Sequence, residues 1–265
     1  MIYRESALPP SLARAAFCAW QFTLEPHDPP VVQHQIPPDG TTNLGLARFP
    51  DGNSVAFHVG PTLAAFTVPV PQGAVSWGLR LRPEAAAAAL GKPPRVGHWE
   101  QMEADGRYGP LWRELASWAP GGAAPDFRCA ATLFGEARGD PCIAEAVDRL
   151  VAGGGMVPVA EIAALSHLSE RQFRRRFIAA TGISPKQYAD VQRVRRALIL
   201  SLEDRDWAGV ASEAGFADQP HLARDIKERF GAGPTRVVGY LDGIRHELLE
   251  GDHVRNLQAP VRKAA

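Results

Sequence analysis

A short helix, a tight turn and a capped second helix follow one another twice in the C-terminal half of this chain. The two copies occupy residues 159–181 and 207–231. In both, the first helix holds an apolar residue followed by alanine, Ile162-Ala163 and Val210-Ala211. Small residues let two helices cross closely, so the repeat predicts a pair of helix-turn-helix units. A single copy would fit an ordinary helical hairpin equally well.

The ends of these helices are marked by local signals. Ser169 with Gln172, and Ser184 with Gln187, have the spacing of capping boxes, and Pro185 suits a first helical position. Asp206 and Asp218 are further candidate caps, and prolines at 141, 158 and 234 begin other helices. The pattern predicts consecutive helices from Pro141 to about Glu250.

The distribution of charge supports a nucleic-acid partner where the total does not. The 265 residues hold 29 basic and 29 acidic side chains, a formal charge of zero. Residues 171–196, however, contain eight basic side chains and one acid, Asp190, a net of +7. A solvated helix face is the ordinary explanation of such a run. Its place inside the repeated unit favours DNA binding instead.

Helical spacing separates a core face from a DNA face in the first unit. If Phe173 and Phe177 face the core, then Arg171, Arg174 and Arg175 project away from it. Guanidinium groups there can reach guanine edges or phosphates in a major groove. The long helix over residues 184–201 spans about 27 Å at 1.5 Å per residue. Since one turn of DNA is about 34 Å, it can place two recognition helices in successive grooves.

Residues 145–241 resemble the DNA-binding domain of the AraC/XylS family of bacterial transcription regulators. The motifs that carry this resemblance are Ser169-Glu170-Arg171-Gln172-Phe173-Arg174-Arg175-Arg176-Phe177, Thr181-Gly182-Ile183-Ser184-Pro185, and Ala211-Ser212-Glu213-Ala214-Gly215-Phe216-Ala217-Asp218-Gln219-Pro220-His221-Leu222-Ala223-Arg224. The resemblance implies sequence-specific binding of double-stranded DNA in the major groove and transcription regulation. Activation through contact with RNA polymerase is usual in the family. We also expect a cytoplasmic location.

The same resemblance implies which residues read bases. They are Arg171, Arg174 and Arg175 in the first unit and Gln219, Pro220, His221 and Arg224 in the second. His167 stands in the first turn where the family often has glycine. Because the second unit is poor in positive charge and Pro220 offers only shape, we expect the first unit to supply most of the affinity.

The first hundred residues have the pattern of short β-strands between Gly/Pro turns. Candidate strands cover residues 54–59, 66–70 and 75–81. In the last, alternation puts Val75, Trp77, Leu79 and Leu81 on one face, and Ser76, Arg80 and Arg82 on the other. The fold class predicted for the whole chain is α+β, with a β-rich domain before an all-α double helix-turn-helix domain.

This half resembles, less strongly, a cupin-like domain attached to some AraC-type regulators. The carrying motifs include residues 37–44, Val59-Gly60-Pro61 and residues 78–83. Such domains sense a small molecule, form a homodimer, or both. Candidate ligand-binding residues are Trp20, Trp77, Arg80 and Arg82, since aromatic walls and arginines suit a pocket for an anionic ligand. Core packing and surface ion pairs are the alternatives.

No cofactor or metal is predicted. His34, His58 and His98 are scattered along the sequence, and we expect surface or structural roles for them. The chain has no GxGxxG, P-loop, GxSxG or HExxH motif, so we expect no enzyme. No apolar run is long enough for a membrane span. The alternative function is a small-molecule-binding or enzymatic β domain with a helical protein-interaction module.

The predicted boundaries follow composition. Residues 1–120 form the β-rich domain, and residues 121–140, rich in Gly, Ala and Pro, form a linker. The helix-turn-helix domain covers residues 141–250, and residues 251–265 are a C-terminal tail.

Overall fold

The N-terminal half is built on a seven-stranded sheet. A computed structural model of the chain describes residues 1–249. The strands are β1 Ile2–Ser6, β2 Ala16–Thr23, β3 Val31–Ile36, β4 Asn43–Arg48, β5 Ser54–Val59, β6 Phe66–Pro71, β7 Val75–Leu81, β8 Trp99–Met102 and β9 Arg245–Leu249. Their order in the large sheet is β8-β5-β4-β7-β2-β1-β9, while β3 and β6 pair in a separate two-stranded sheet. All pairs are antiparallel except β1 with β9.

Strand β7 shows how the large sheet separates two environments. Trp77, Leu79 and Leu81 are buried in the core on one face, and Ser76 and Arg80 line a cavity on the other. This confirms the predicted alternation for those five residues.

Helices cover the core face of the sheet. A short 3-10 helix, Pro83–Ala85, leads into α1 Ala86–Leu90, and α2 Gly109–Ala116 and α3 Arg128–Phe134 follow. Ala130 and Phe134 of α3 are fully buried in the same core as Trp77 and Trp118. The predicted linker over residues 121–140 is therefore wrong for Arg128–Phe134, because that stretch is part of the N-terminal core.

The second half is helical, as its capping signals predict. The helices are α4 Pro141–Ala152, α5 Val159–Leu165, α6 Glu170–Thr181, α7 Pro185–Glu203, α8 Trp207–Glu213, α9 Gln219–Phe230 and α10 Pro234–Asp242. Ser169 and Ser184 form capping boxes with Gln172 and Gln187. Asp140, Asp206 and Asp218 accept hydrogen bonds from backbone N–H groups at the starts of α4, α8 and α9.

The chain then returns to the sheet where it started. Strand β9 pairs in parallel with β1, with Ile2 opposite Arg245 and Ser6 opposite Leu249. The prediction of helix up to residue 250 is thus wrong beyond α10. The predicted tail, residues 251–265, lies outside the described residues. Among residues 1–249 no helix combines the length and apolar character needed to cross a membrane.

Candidate nucleic-acid interface and a cavity

Each helix-turn-helix unit has its own hydrophobic core. Phe173 and Phe177 of α6 are fully buried with Ile162 and Ala163 of α5. Leu222 and Ile226 of α9 are equally buried, packed with Val210 and Ala211 of α8. The apolar-alanine pairs that mark the repeat in the sequence are therefore the contacts between the two helices of each unit.

The turns of the two units use different residues for the same backbone conformation. In the first unit His167 has φ 53°, and in the second Gly215 has φ 76°. A non-glycine residue with positive φ is uncommon because its Cβ approaches the backbone. His167 thus occupies the left-handed position that glycine usually takes.

Helix α7 joins the units rigidly because it belongs to both cores. Tyr188 and Ala189 at its start pack in the first core, and Val194, Ala197 and Leu198 pack in the second. Its 19 residues span about 28 Å. The two recognition helices, α6 and α9, are held at a separation that this helix determines.

Most of the positively charged side chains in residues 171–196 are buried or interact with other groups of the protein. Arg176 donates from Nε and Nη2 to Asp140, both at 2.8 Å. Lys186 lies 2.7 Å from Asp190, which also pairs with Arg193. Arg195 is buried, and Nε of Arg196 donates to the carbonyl of Glu213 at 3.2 Å.

Three arginines of α6 are different. Arg171, Arg174 and Arg175 are exposed and make no ion pair or hydrogen bond with any residue of the described range 1–249. They lie along one groove with the first turn of α7, which contributes Lys186 and Gln187. These are the three residues of the first unit that the sequence indicates as base readers.

The second unit presents a weaker electrostatic surface. Gln219, Pro220 and Arg224 are exposed at the start and middle of α9. His221 is half-buried, with its ring edge against Phe216 at a centroid distance of 5.3 Å. Asp225 pairs with Arg229 at 3.0 Å. Arg224 pairs with no residue of the described range, so it is the arginine of α9 that can contact an anion.

Two exposed recognition helices on one rigid connecting helix define a double helix-turn-helix architecture. A family profile for a helix-turn-helix domain matches residues 162–239. Those residues are a helix-turn-helix domain of the AraC type, as the sequence motifs indicate.

Similar proteins extend this comparison. YidL of Escherichia coli K12, named as an uncharacterized HTH-type transcriptional regulator, is 35% identical over 85 residues. The match covers 32% of this chain and 29% of YidL. The DNA-binding domain of AdpA, solved with a target DNA, is 30% identical, with 37% of this chain and 89% of that one covered and a TM-score of 0.34. ToxT of Vibrio cholerae is 9% identical, with coverages of 85% and 98% and a TM-score of 0.47.

A cavity of about 570 Å³ lies on the other face of the large sheet. Its walls are mostly apolar and come from the large sheet, the two-stranded sheet and α7; they include Trp20, Phe22, Phe49, Phe57, Phe66, Val68, Val70 and Ile244. The volume falls within the range of about 300–1,000 Å³ typical of small-molecule pockets.

A connected polar network forms part of the cavity wall. Arg80 lies 2.9 Å from Glu5 and 3.3 Å from Asp39, and its Nη2 donates to the Tyr3 hydroxyl at 3.0 Å. Although burial opposes its charge, Tyr3, Cys18, Glu5 and Asp39 keep the pKa of Arg80 well above its ordinary value. The cavity therefore contains a permanent cation with its counter-ions in place.

The predicted ligand-binding residues divide into two groups. Trp20 and Arg80 line the cavity. Trp77 does not, because it is fully buried on the opposite face, where its Nε1 donates to the carbonyl of Trp118 at 2.8 Å. Arg82 is also elsewhere, paired with Glu84 and Asp148. The structure therefore gives no support to a ligand role for Trp77 and Arg82.

Two cavity residues missed by the sequence analysis connect the sheet to the DNA-binding half. Arg195 of α7 lines the cavity, and burial together with the nearby Arg80 lowers the pKa of its guanidinium. Asp39 also lines it, and the carbonyl of Asp39 accepts a hydrogen bond from Gln192 of α7 at 3.4 Å. Helical spacing places Gln192 and Arg195 on one face of α7, but only the fold shows what they meet.

Proposed function

We propose that this chain is a sequence-specific DNA-binding transcription regulator whose two helix-turn-helix units occupy successive major grooves. The observation that carries the proposal is the set of three exposed arginines on α6 that pair with no residue of the described range 1–249. Their concentration along one exposed groove of a helix-turn-helix unit favours an anionic partner over a merely solvated face, whereas the neighbouring Arg176 is already neutralised by Asp140. In this proposal Arg171, Arg174, Arg175, Gln219, Pro220, His221 and Arg224 face the bases.

The spacing of the units supports binding on one side of the duplex. Helix α7 is about 28 Å long, and a turn of DNA is about 34 Å. Because α7 is part of both cores, α6 and α9 cannot adjust their separation freely. The most favourable sites are therefore expected to contain two contacted segments about one turn apart.

Selection of bound fragments from genomic DNA of the source organism tests this function. The full chain should retain specific fragments, and its affinity for them should fall steeply with salt because phosphate contacts release counter-ions. Replacing Arg171, Arg174 and Arg175 together by alanine should abolish retention. Arg176→Ala is the matched control, since that arginine already pairs with Asp140.

Failure to retain any specific fragment would reject DNA regulation and leave the alternative, a ligand-binding or enzymatic β domain with a helical protein-interaction module. Equal retention by the triple variant would reject α6 as the reading helix. In this proposal the protein is not an enzyme, and it acts in the cytoplasm, where its DNA is. Contact with RNA polymerase and activation are proposed on the resemblance of the DNA-binding domain, and homodimer formation on that of the N-terminal domain.

We also propose that the cavity binds a small-molecule effector that is mainly apolar and carries one hydrogen-bonding group. The volume and apolar walls support the first property, and the polar network around Arg80 supports the second. Arg80 and Arg195 are balanced by Glu5 and Asp39, so the network favours a neutral ligand over a strongly charged one. Since Arg195 and Gln192 belong to α7, a ligand there adjoins the helix that spaces the recognition helices.

The neutral fluorophore N-phenyl-1-naphthylamine can probe this cavity in the full chain. We expect saturable fluorescence enhancement that is lost in Ala47→Trp, because Ala47 lines the cavity and an indole would fill part of it. Val31→Trp is the control of equal size, placed on an exposed position of β3. Equal enhancement in wild type and Ala47→Trp would reject this cavity as the binding site.

A further inference from the structure

Three side chains that are scattered in the sequence meet at the edge of the large sheet. His58 is on β5, Glu100 lies directly opposite it on β8, and His98 immediately precedes β8. They are on the face opposite the cavity. In the sequence His58 and His98 are separated by 39 residues, and only the pairing of β5 with β8 brings them together.

The donor atoms of these residues converge on one point. The Nε2 atom of His98 is 3.4 Å from Oε2 of Glu100, and Nε2 of His58 is 3.8 Å from the same oxygen. All three ligand atoms lie within 4.8 Å of one another. Tetrahedral zinc with bonds near 2.0–2.1 Å requires neighbouring ligand atoms about 3.3 Å apart. Small side-chain rotations are enough to reach that geometry.

The backbone beneath the cluster is fixed. The N–H of Gly60 donates to the carbonyl of His98 at 2.8 Å. A Cβ atom at Gly60 would lie 1.9 Å from the carbonyl oxygen of Arg95, so only glycine permits this close approach. Two parts of the chain that supply ligands, β5 and the segment before β8, are therefore held together independently of any ion.

Exposure differs among the three residues in a way that suits a partly open metal centre. The His58 side chain is 6% exposed, whereas those of His98 and Glu100 are 36% and 44% exposed. An ion held by these groups would have protein on one side and solvent on the other. Water can then supply the remaining coordination position.

We propose that His58, His98 and Glu100 bind one divalent transition-metal ion, with Zn²⁺ the best match. Two imidazoles and one carboxylate form a donor set that suits zinc and related ions, and magnesium or calcium would prefer oxygen ligands alone. This site is separate from both the DNA-reading helices and the cavity.

Lys92 competes with the ion for the carboxylate. Its Nζ lies 2.6 Å from Oε2 of Glu100, where it supplies a positive charge in place of the metal. Both groups are about half exposed, so this ion pair is weak and can be displaced. Removing Lys92 should therefore strengthen metal binding.

The site also bears on the first helix-turn-helix unit. The segment between Lys92 and His98 passes close to the turn after α6, where a Cβ at Gly182 would lie 2.6 Å from the carbonyl oxygen of Pro94. A metal ion that ties His98 to β5 would stabilise this segment against the DNA-binding half.

Titration of chelator-treated full-length protein with Zn²⁺ alone tests the proposal. We expect one ion per chain by calorimetry and by native mass spectrometry, and a rise in melting temperature because the ion binds only the folded chain. His98→Gln and Glu100→Gln should each weaken binding at least tenfold. Lys92→Gln should tighten it.

His27→Gln is the matched control, since His27 is 76% exposed and distant in sequence from the cluster. It should bind Zn²⁺ as the wild type does. Absence of saturable binding would overturn the proposal, and so would wild-type affinity in both His98→Gln and Glu100→Gln. His98 and Glu100 are exposed enough that neither change should unfold the protein, which equal far-ultraviolet circular dichroism would verify.

Discussion

Arg174 lies between Arg171 and Arg175 on the exposed side of α6, one residue from the buried Phe173. Phe173 fixes the rotation of the helix, and that rotation directs the three arginines outward. A guanidinium can donate two hydrogen bonds to O6 and N7 of guanine. No other base presents this pair of acceptors in the major groove, so the contact distinguishes guanine. The position of Arg174 thus suits recognition of sequence as well as of charge.

Arg174→Ala should change which DNA sequence the protein prefers. A lost bidentate base contact costs about 1–3 kcal/mol at the contacted base pair and little elsewhere. Fragment selection with wild type and variant, compared position by position, measures the change. Arg176→Ala should leave the preferred sequence intact. If Arg174→Ala weakens binding to every sequence equally, Arg174 contacts phosphate.

The sequence predicted that Arg171, Arg174 and Arg175 of α6 point away from the core. It did not predict the partners of the other basic residues nearby. Phe173 and Phe177 mark the core face locally, so three- and four-residue spacing was enough to orient α6. Arg176 pairs with Asp140, which is 36 residues away, and Arg196 reaches Glu213. Such partners depend on tertiary packing, and a charge run cannot show which of its members are already neutralised.

Helix α7 begins with a reciprocal cap. The N–H of Gln187 donates to Oγ of Ser184 at 3.2 Å, and the N–H of Ser184 donates to the Gln187 side chain at 2.9 Å. Two backbone donors of the first turn and cap are thereby satisfied. Because α7 is shared by both cores, its stability contributes to that of both units.

Ser184→Ala should lower the free energy of unfolding by about 1 kcal/mol, the usual cost of losing a serine cap. Ser184→Asp should retain most of the stability, since its carboxylate can accept the same hydrogen bond. Urea denaturation followed by circular dichroism measures both. Equal stability of wild type and Ser184→Ala would show that the cap contributes nothing here.

Elements with local signals were predicted well, and those fixed by distant contacts were not. The caps at Ser169, Ser184 and Asp218 lie within three residues of the groups they bind, so their helices follow from short sequence patterns. Helix α3 lies in a Gly/Ala-rich stretch without a clear helical signal. It is stabilised by the burial of Phe134 in the core of the N-terminal half. Strand β9 forms because it pairs with β1, which lies more than 240 residues earlier in the sequence.

At the scale of the molecule, the two-stranded sheet joins the halves around His34. The His34 ring stacks on Phe22 with centroids 3.9 Å apart, and its Nδ1 is 2.7 Å from the Tyr240 hydroxyl of α10. Gln35 donates to the carbonyl of Phe230 at the end of α9 at 3.0 Å. Burial lowers the pKa of His34 to about 4, and burial does the same for His246.

Acidification should therefore destabilise the protein between about pH 6.5 and pH 4. In that range the unfolded chain binds protons on these histidines and the folded chain does not, so stability falls as pH falls. Each histidine contributes at most about 1.4 kcal/mol per pH unit. The free energy of unfolding from urea titrations at pH 7 and pH 5 measures the change.

His34→Gln should reduce this pH dependence, because it removes one of the two shifted groups. If His34→Gln retains the full wild-type dependence, His34 is not one of the groups responsible.

The pairing of β9 with β1 has a consequence for motion. The DNA-binding helices leave the N-terminal core after α3 and rejoin the same sheet at β9, so they form an excursion anchored at both ends. Contacts along the way add to these two anchors, because Gln192 of α7 donates to the carbonyl of Asp39 and Arg229 of α9 donates to the carbonyl of Leu63. Any rearrangement of the recognition helices relative to the sheet must therefore break contacts in several places at once, and cannot be a rotation about one flexible linker.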